Sequence, residues 1–307
     1  MRGQRGAALL LVVLLISLLA VLVVEFQREA RLKLRSSVNL RDALQAHALL
    51  RSGVTVASAF LLADAEESAV DHRAELWSQP IPPVPLGEGT LSVSVEDLDG
   101  RFPLGSLVDA RGRAVPTQVA AYRRLLDALE LEGAAPADLV DALMDWMDED
   151  QEGPYEINPE FTVPNAPLDH LEDLGRVEGY TWEVLHGLLP HVDIRSDRGI
   201  NVNTATVPVL LSLHEAIRRD EAELLYEELG EQHAERVGDL RTHAAFSGVV
   251  NFAAVSQNLK VESARFRVLL AADVPAAAQN PVVRIARAVL QRDRAQRTVE
   301  LVDWIEE

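Results

Sequence analysis

The stretch AALLLVVLLISLLAVLVV, residues 7–24, decides how the rest of the chain is arranged. Ser17 is its only polar residue. A helix of this length spans about 27 Å, close to the hydrocarbon thickness of a bilayer. Arg2 and Arg5 precede the run, and this bias keeps the N-terminus on the cytoplasmic side. The sequence therefore predicts a membrane-spanning helix, with residues 25–307 on the opposite side.

Three interpretations of this run compete. A secretory signal peptide needs small residues at a cleavage site, and the run ends instead in Val23-Val24-Glu25. A plain membrane anchor is the simplest alternative. The third rests on Gly6, which separates a short basic leader from the apolar run. This arrangement resembles the signal of type IV pilins and type II secretion pseudopilins, in which prepilin peptidase cuts after the glycine and the new N-terminus, here Ala7, is methylated.

The fifth position after that cut is Leu11. Most members of the pilin family carry glutamate there. The K-type minor pseudopilin of type II secretion systems typically lacks this glutamate, so a chain with Leu11 at this position resembles that member of the family. The resemblance implies a subunit that does not add repeatedly along a filament, and it makes Leu11 the residue expected to determine a tip position.

Charge restricts the partners of the exposed part. The chain has 307 residues and a net charge of −19; residues 1–35 are net +4, which leaves −23 for the remainder. Such a surface repels phosphate backbones, so no nucleic-acid partner is expected, whereas cations or a basic protein surface would suit it. Cysteine is absent, so no disulfide can fix a long loop.

The first helix is predicted to run from residue 7 to residue 62, since residues 26–62 hold no proline and Gly53 is their only glycine. Its upper half is amphipathic and should pack against a sheet. The predicted apolar stripe consists of Leu40, Leu44, Leu50, Val54, Ala57 and Leu61.

Strands are predicted on both sides of a helical block. Residues 90–97, TLSVSVED, alternate apolar and polar, and a strand resumes at residues 101–104 after an Asp99-Gly100 turn. Residues 266–271, 282–290 and 298–305 also have strand character. Between them, helices are predicted at 119–131, 136–147, 168–174, 181–189 and 206–213, with two longer ones within 216–245. The order predicts one α+β domain interrupted by an all-α insertion.

Three further segments resemble K-type minor pseudopilins: DLDGRFPLGSLV (97–108), DALMDWMDED (141–150) and GINVNTA (199–205). The resemblance implies a pilin-like fold, a long N-terminal helix on a small antiparallel sheet, with a large inserted all-α domain. The expected segments are a leader (1–6), a transmembrane part (7–24), the first pilin-like part (25–115), the insertion (116–245) and the C-terminal strands (246–307).

The same resemblance implies a function. Such a protein caps the tip of a short periplasmic pseudopilus together with I- and J-type minor pseudopilins, starts its assembly and supports export of folded exoproteins across the outer membrane. It would be anchored in the bacterial inner membrane by a single span, with its C-terminal domain in the periplasm. A type IV pilus minor pilin is the nearer alternative.

An acidic segment follows the predicted helix 136–147. Asp148, Asp150 and Glu152 fall at positions 1, 3 and 5 of a calcium-loop pattern, and Asp145 lies one helical turn earlier. The twelfth position, Pro159, has no side-chain oxygen, so a regular EF-hand is not expected. We predict a looser calcium site formed by Asp145, Asp148, Asp150 and Glu152, and the family resemblance implies calcium near this segment as well. A solvated acidic loop is the alternative.

Two segments also resemble helix-hairpin-helix units, residues 174–185 and 199–210. In the first, Gly179 is predicted to form the turn and Thr181 to cap the next helix; in the second, Asn203 or Thr204 is expected to cap a helix near Ala205. The hairpin at 177–180 has no lysine and is flanked by acid, so helix packing is favoured over DNA contact. A membrane-anchored DNA-uptake protein is the alternative from a different functional class.

No catalytic constellation is evident. The eight histidines form no H-E-x-x-H pair, and neither a G-x-S-x-G motif nor a phosphate-binding loop occurs. We therefore assign no catalytic residue and expect a protein that is not an enzyme.

Overall fold

The computed structural model describes residues 3–156, 163–275 and 281–306, with side chains from Leu9 onward. The described helices are, in chain order, α1 (Gly3–Glu67), α2 (Pro116–Leu129), α3 (Pro136–Met147), α4 (Trp182–Leu188), α5 (Val207–Ser212), α6 (Arg219–Glu231) and α7 (Phe252–Ser256). The described strands are β1 (Val84–Leu86), β2 (Gly89–Asp97), β3 (Phe102–Pro103), β4 (Val192–Asp193), β5 (Ile200–Asn201), β6 (Leu259–Lys260), β7 (Arg265–Val274), β8 (Val282–Asp293) and β9 (Thr298–Glu306).

Helix α1 is one uninterrupted element of 65 residues, about 97 Å long. It extends beyond the predicted bounds at both ends. Leu50, Ala57 and Leu61 are buried against the sheet, in agreement with the predicted stripe. Leu40 and Leu44 do not continue that stripe: they are 61% and 59% exposed, because the hydrophobic core that α1 shares with the sheet begins only at Ala46.

The main sheet has five strands in the order β1-β2-β7-β8-β9, and every neighbouring pair is antiparallel. The alternation in β2 sets its faces, since Leu91, Val93 and Val95 are buried under α1 while Ser94 is exposed. Phe266 of β7 lies in the same core, edge-on to Trp77 at 5.2 Å between ring centroids. A long helix on an antiparallel sheet confirms the predicted pilin-like fold.

The helical part is inserted between β2 and β7. Asp97, the last residue of β2, is the cross-strand partner of Phe266, the second residue of β7, so the insertion occupies the place of a hairpin loop. It has a separate hydrophobic core that runs from Phe102 to Leu259 and is centred on Tyr122, Leu143 and their neighbours. The packed unit is therefore longer at both ends than the predicted 116–245.

Several local predictions for this part are corrected. The segment 101–104 does not continue the main sheet: β3 pairs in parallel with β4, inside the insertion. The predicted helix 168–174 is a 3₁₀ turn at Leu171–Arg176. Within 216–245 only α6 is a longer helix, and 3₁₀ turns follow at Val237–Thr242 and Ala244–Phe246. These turns bury Leu240, Ala245 and Phe246, a spacing that no single face of a straight helix provides.

Candidate functional site

The apolar half of α1 has no partner within the described part of the chain. Residues from Leu9 to Glu67 include a stretch long and apolar enough to span a membrane, and none of its most apolar window is buried. Ser17 is satisfied locally, since its hydroxyl donates to the carbonyls of Val13 and Leu14. Leu11 lies on this free surface, 67% exposed. The geometry fits a single-pass anchor, and cleavage between Gly6 and Ala7 stays a prediction.

The acidic segment forms a compact carboxylate cluster after α3. Carboxylate oxygens of Asp148, Asp150 and Glu156 lie within 4.8 Å of one another. Asn165 connects two of these residues, because its side-chain amide donates to Glu156 Oε1 and to the backbone carbonyl of Asp150, each at 2.7 Å. The other oxygen of Glu156 accepts from the amide of Gly153 at 3.0 Å. The loop is therefore ordered around the carboxylates.

Asp148 is the least solvated member of this cluster. It is only 8% exposed, and its Oδ1 has no hydrogen-bond partner among the described residues. Burial raises the pKa of Asp148 to about 6, and the neighbouring charges of Asp150, Glu156 and Asp145 add to the shift. Asp148 thus has a buried carboxylate oxygen that accepts no hydrogen bond from the described residues, and it lies beside two other carboxylates. Hard cations prefer such groups of oxygen ligands.

The predicted metal ligands are only partly brought together. Asp148 and Asp150 are in the cluster, whereas Glu152 is exposed and outside it. Asp145 is buried and accepts a hydrogen bond from the amide of Tyr155 at 2.7 Å, so one of its oxygens already has a partner. Glu156 takes the place expected for Glu152, because the chain turns after residue 152 and returns over the end of α3. The loop spacing alone did not indicate this residue.

Two of the motifs identified in the sequence contact each other where the insertion joins the sheet. Asp97 Oδ2 accepts hydrogen bonds from Thr204 Oγ1 at 2.5 Å and from Asn201 Nδ2 at 3.2 Å. The backbone amide of Asn201 donates to the backbone carbonyl of Asp99 at 2.8 Å. Gly100 is required there, since a Cβ at that position would lie 2.8 Å from the carbonyl carbon of Thr204. DLDGRF and GINVNTA therefore form one structural joint.

The roles predicted for Asn203 and Thr204 as helix caps are wrong. Helix α5 begins at Val207 with Thr206 as its N-cap residue. Asn203 is fully buried and forms a reciprocal pair with the backbone of Ala234, donating to its carbonyl at 3.0 Å and accepting from its amide at 2.9 Å. Its side chain therefore fastens the segment just after α6 to the joint, a contact to a distant part of the chain that no local pattern reveals.

Arg195 completes this joint. No sequence pattern indicated a role for this residue. It is 6% exposed and donates to four carbonyl oxygens, those of Asp99, Arg101, Asp197 and Gly199, at 2.6–3.1 Å. Its Nε lies 3.3 Å from Asp99 Oδ1. Lys260 Nζ donates to the other oxygen of Asp99 at 2.8 Å. Asp99 is thus a buried carboxylate between two cations, and together they fix where the insertion leaves the sheet.

The hairpin at residues 177–180 serves packing. Gly179 adopts φ +83° and forms the turn, and Thr181 caps α4, accepting from the amide of Val184 at 3.5 Å. The hydroxyl of Tyr180 is buried and donates to the carbonyl of Leu139, which lies in α3. The turn and cap predictions are confirmed, and the hairpin points a side chain into the core of the insertion.

Comparison with known proteins agrees with this architecture. A family model described as Type II secretion system (T2SS), protein K, matches residues 100–197, and a second with the same description matches residues 200–262. Proteins named Type II secretion system protein K are similar to the chain. The Pseudomonas aeruginosa protein is 31% identical, over 79% of this chain and 77% of its own length; the Klebsiella pneumoniae protein is 30% identical, over 66% and 67%.

A solved structure shows the same fold. A chain in the crystal structure of the GspK-GspI-GspJ complex from the enterotoxigenic Escherichia coli type 2 secretion system superposes with a TM-score of 0.71 at 19% identity. The match covers 88% of this chain and 98% of that one. The relatives are named as secretion components and not as enzymes, pilus subunits or DNA-uptake proteins. The chain belongs to the type II secretion system protein K family of minor pseudopilins.

Proposed function

We propose that the chain ends the type II secretion pseudopilus at its tip and starts its assembly, which supports export of folded proteins across the outer membrane. The position of the insertion carries this proposal. Arg73, six residues after the end of α1, donates to the carbonyl of Asn203 at 3.1 Å and stacks on the ring of Tyr226 at 3.6 Å. The insertion is thus attached at the end of α1 that is remote from the membrane-spanning half.

The other end of α1 supports the same conclusion. A charge within the apolar part of a helix bundle is costly unless it is paired. The amine that prepilin peptidase would expose at Ala7 needs a carboxylate from a neighbour, and Leu11 offers none in return. A subunit of this kind accepts neighbours below it, while its insertion covers the position where another would join above.

The expected partners are an I-type and a J-type minor pseudopilin. The complex whose chain shares this fold contains both by name, and the exposed part of the chain, at net charge −23, suits partners with basic surfaces. We place the anchor in the bacterial inner membrane and the remainder in the periplasm, because basic residues precede the span.

Labelled imaging tests the tip position. A gold label on a tag at the C-terminus should mark one end of each pseudopilus, and the chain should co-purify with the I- and J-type subunits at about one copy each. Leu11→Glu should leave this pattern unchanged, because the insertion still blocks further growth. Label distributed along whole filaments would contradict the assignment.

Processing by prepilin peptidase gives a second test. In cells that hold the peptidase, the mature protein should begin at Ala7, and Gly6→Leu should leave the chain at full length, since a side chain at the cut site blocks the peptidase. Intact-mass measurement distinguishes the two products. Gly3→Leu is the matched control and should still be cut. A mature chain that begins at any other residue would disprove the leader.

We also propose that the carboxylate cluster holds calcium, through Asp148, Asp150 and Glu156 with Asp145 beside them. The unpartnered Oδ1 of Asp148 supports it. A bound divalent cation would neutralise the repulsion among these groups and fix the loop to the end of α3, in a segment that no disulfide restrains.

The pH dependence of this stabilisation can be predicted. In the metal-free chain, folded Asp148 holds its proton more strongly than unfolded Asp, whose pKa is about 3.9. The contribution of Asp148 to the free energy of unfolding therefore falls as pH rises from about 4 to about 6. Calcium competes with that proton. At a calcium concentration of about 100 Kd, the melting temperature of the full chain in detergent should rise by about 5–10 °C at pH 7.5 and by much less at pH 5.

Calorimetry with and without a chelator measures these shifts. Asp148→Asn should remove the response to calcium at both pH values, whereas Glu132→Gln, a change of equal charge at an exposed site outside the cluster, should keep it. A melting temperature that ignores calcium at pH 7.5 would leave the segment a solvated acidic loop.

A further inference from the structure

A cavity of about 400 Å³ opens on the insertion, between the first turns of α2, the C-terminal end of α5 and helix α7. Its apolar wall includes Phe102, Ile200, Leu213 and Val255. The volume lies in the range of small-ligand sites. The polar residues of the joint with the sheet and of the carboxylate cluster lie outside its lining.

The charge of this cavity is opposite to that of the chain. Aspartate and glutamate make up 48 of the 307 residues, yet none is among the fifteen residues that line the cavity, all of which are described. The lining includes Arg124, Arg198 and His214 instead. Arg198 makes no ion pair with the described residues, and Arg124 has only Glu215 as a nearby acid. Such a site attracts anions.

Several lining groups are hydrogen-bond donors without acceptors. Gln118 is 96% buried; its Oε1 accepts from Ser106, and its Nε2 has no acceptor among the described residues. Arg124 donates through Nε and Nη2 to the carbonyl of Ser212, which leaves Nη1 free of any described acceptor. The Nδ1 of His214 accepts from the amide of Ala216 at 3.1 Å, so the neutral ring carries its proton on Nε2. Unpaired donors beside an apolar wall indicate an amphipathic anionic ligand.

We propose that this cavity binds the free C-terminal residue of a peptide chain. The carboxylate lies near Arg124 and Arg198, and an apolar side chain packs against the partly exposed Leu213. The side-chain amides of Gln118, Gln257 and Asn258 match the donors and acceptors of a peptide backbone, which an inorganic anion or a fatty acid lacks. This is a recognition site for protein termini in addition to the assembly role, and the chain alone suffices to test it.

The test uses the full chain in detergent micelles and fluorescein-labelled hexapeptides. One pool has degenerate sequences that end in Leu, Val or Phe as free acids, and a second pool has the same sequences as C-terminal amides. Anisotropy should rise and saturate with the acids, and the amides should bind at least about tenfold more weakly, since the loss of a charge-assisted bond costs about 1.4 kcal/mol or more.

Variants separate this site from general charge effects. Arg198→Glu should weaken binding of the acids by about tenfold or more, and Ala254→Trp, on the exposed rim, should block the cavity without disturbing a core. Arg241→Glu is the control; it makes the same charge change at an exposed arginine outside the cavity and should bind normally. The two rim variants leave all bonds described for Gln118 and Arg124 in place.

Four results would overturn the proposal, and the first three concern the peptides and the variants. They are equal binding of the acid and amide pools, no saturation with the acids up to about 1 mM, and the same loss in the Arg241 variant as in the Arg198 variant. Dodecanoate that competes with the acid peptides at equal concentration would also contradict it, because the cavity would then recognise anionic amphiphiles without reading a peptide.

Discussion

Arg195→Leu is expected to lower the free energy of unfolding by about 3–5 kcal/mol, a large fraction of the stability of a domain. The change removes four hydrogen bonds to carbonyl oxygens and one of the two cations beside Asp99, and both the carboxylate and the arginine are almost inaccessible to water. The leucine side chain has no donors, so these acceptors would stay buried and unpaired.

Urea unfolding of the full chain in detergent measures this loss. Arg195→Lys should fall between the wild type and Arg195→Leu, since an ammonium keeps the charge but cannot reach carbonyls on two sides. Arg176→Leu is the control, because Arg176 is mostly exposed and its one ion pair with the described residues is to Asp173 at 3.4 Å, so its change should stay within about 1 kcal/mol. Equal losses in Arg195→Leu and Arg176→Leu would show that the joint contributes no special stability.

Excision of residues 99–264, with Asn-Gly as the new connection, should leave a folded pilin-like part. Asp97 and Phe266 are direct cross-strand partners, so a two-residue turn can join β2 to β7. The helix–sheet core shares no buried residue with the core of the insertion, among the residues that the structure describes. The shortened chain should unfold cooperatively, with Trp77 still packed on Phe266, but it should no longer end a pseudopilus.

Excision at the bounds first expected from the sequence, 116–245, provides the comparison. This shorter excision would remove the helices that bury five apolar residues of the insertion core, which are Phe102, Leu104, Leu107, Val255 and Leu259. We expect this variant to aggregate, because a large apolar surface would face water. Tryptophan fluorescence and limited proteolysis distinguish the outcomes. A shorter excision that folds as well as the longer one would show that residues 99–115 and 246–264 belong to the sheet.

Much of the fold could be predicted from local pattern. The absence of proline indicated α1, and alternation indicated β2 and its buried face. The predicted helix 136–147 has the observed bounds of α3, whereas the predicted helix 119–131 corresponds to α2, which begins three residues earlier at Pro116. These features depend on neighbours within one or two turns, and periodicity records directly which face of an element is buried.

The candidate sites were predictable only in part. The acidic segment stood out because Asp148 and Asp150 follow one helix at loop spacing, but Glu156 joined them through a turn of the chain. Asn203 had the residue type of a cap and instead pairs with Ala234, 31 residues away. The role of a buried polar side chain depends on hydrogen-bond partners that are distant along the chain, and a single sequence does not indicate which residues those partners are.

The sequence by itself therefore determined the long apolar helix, the helix-on-sheet order, the presence of an inserted helical part and the acidic segment. Only the tertiary structure decided that the insertion spans more than 116–245, that Asp97 meets Asn201 across 104 residues, and that Arg195 holds the joint. The physical reason is how far apart along the chain the interacting residues lie. Burial periodicity is repeated along an element, whereas a buried hydrogen bond depends on one pair of atoms brought together by the whole fold.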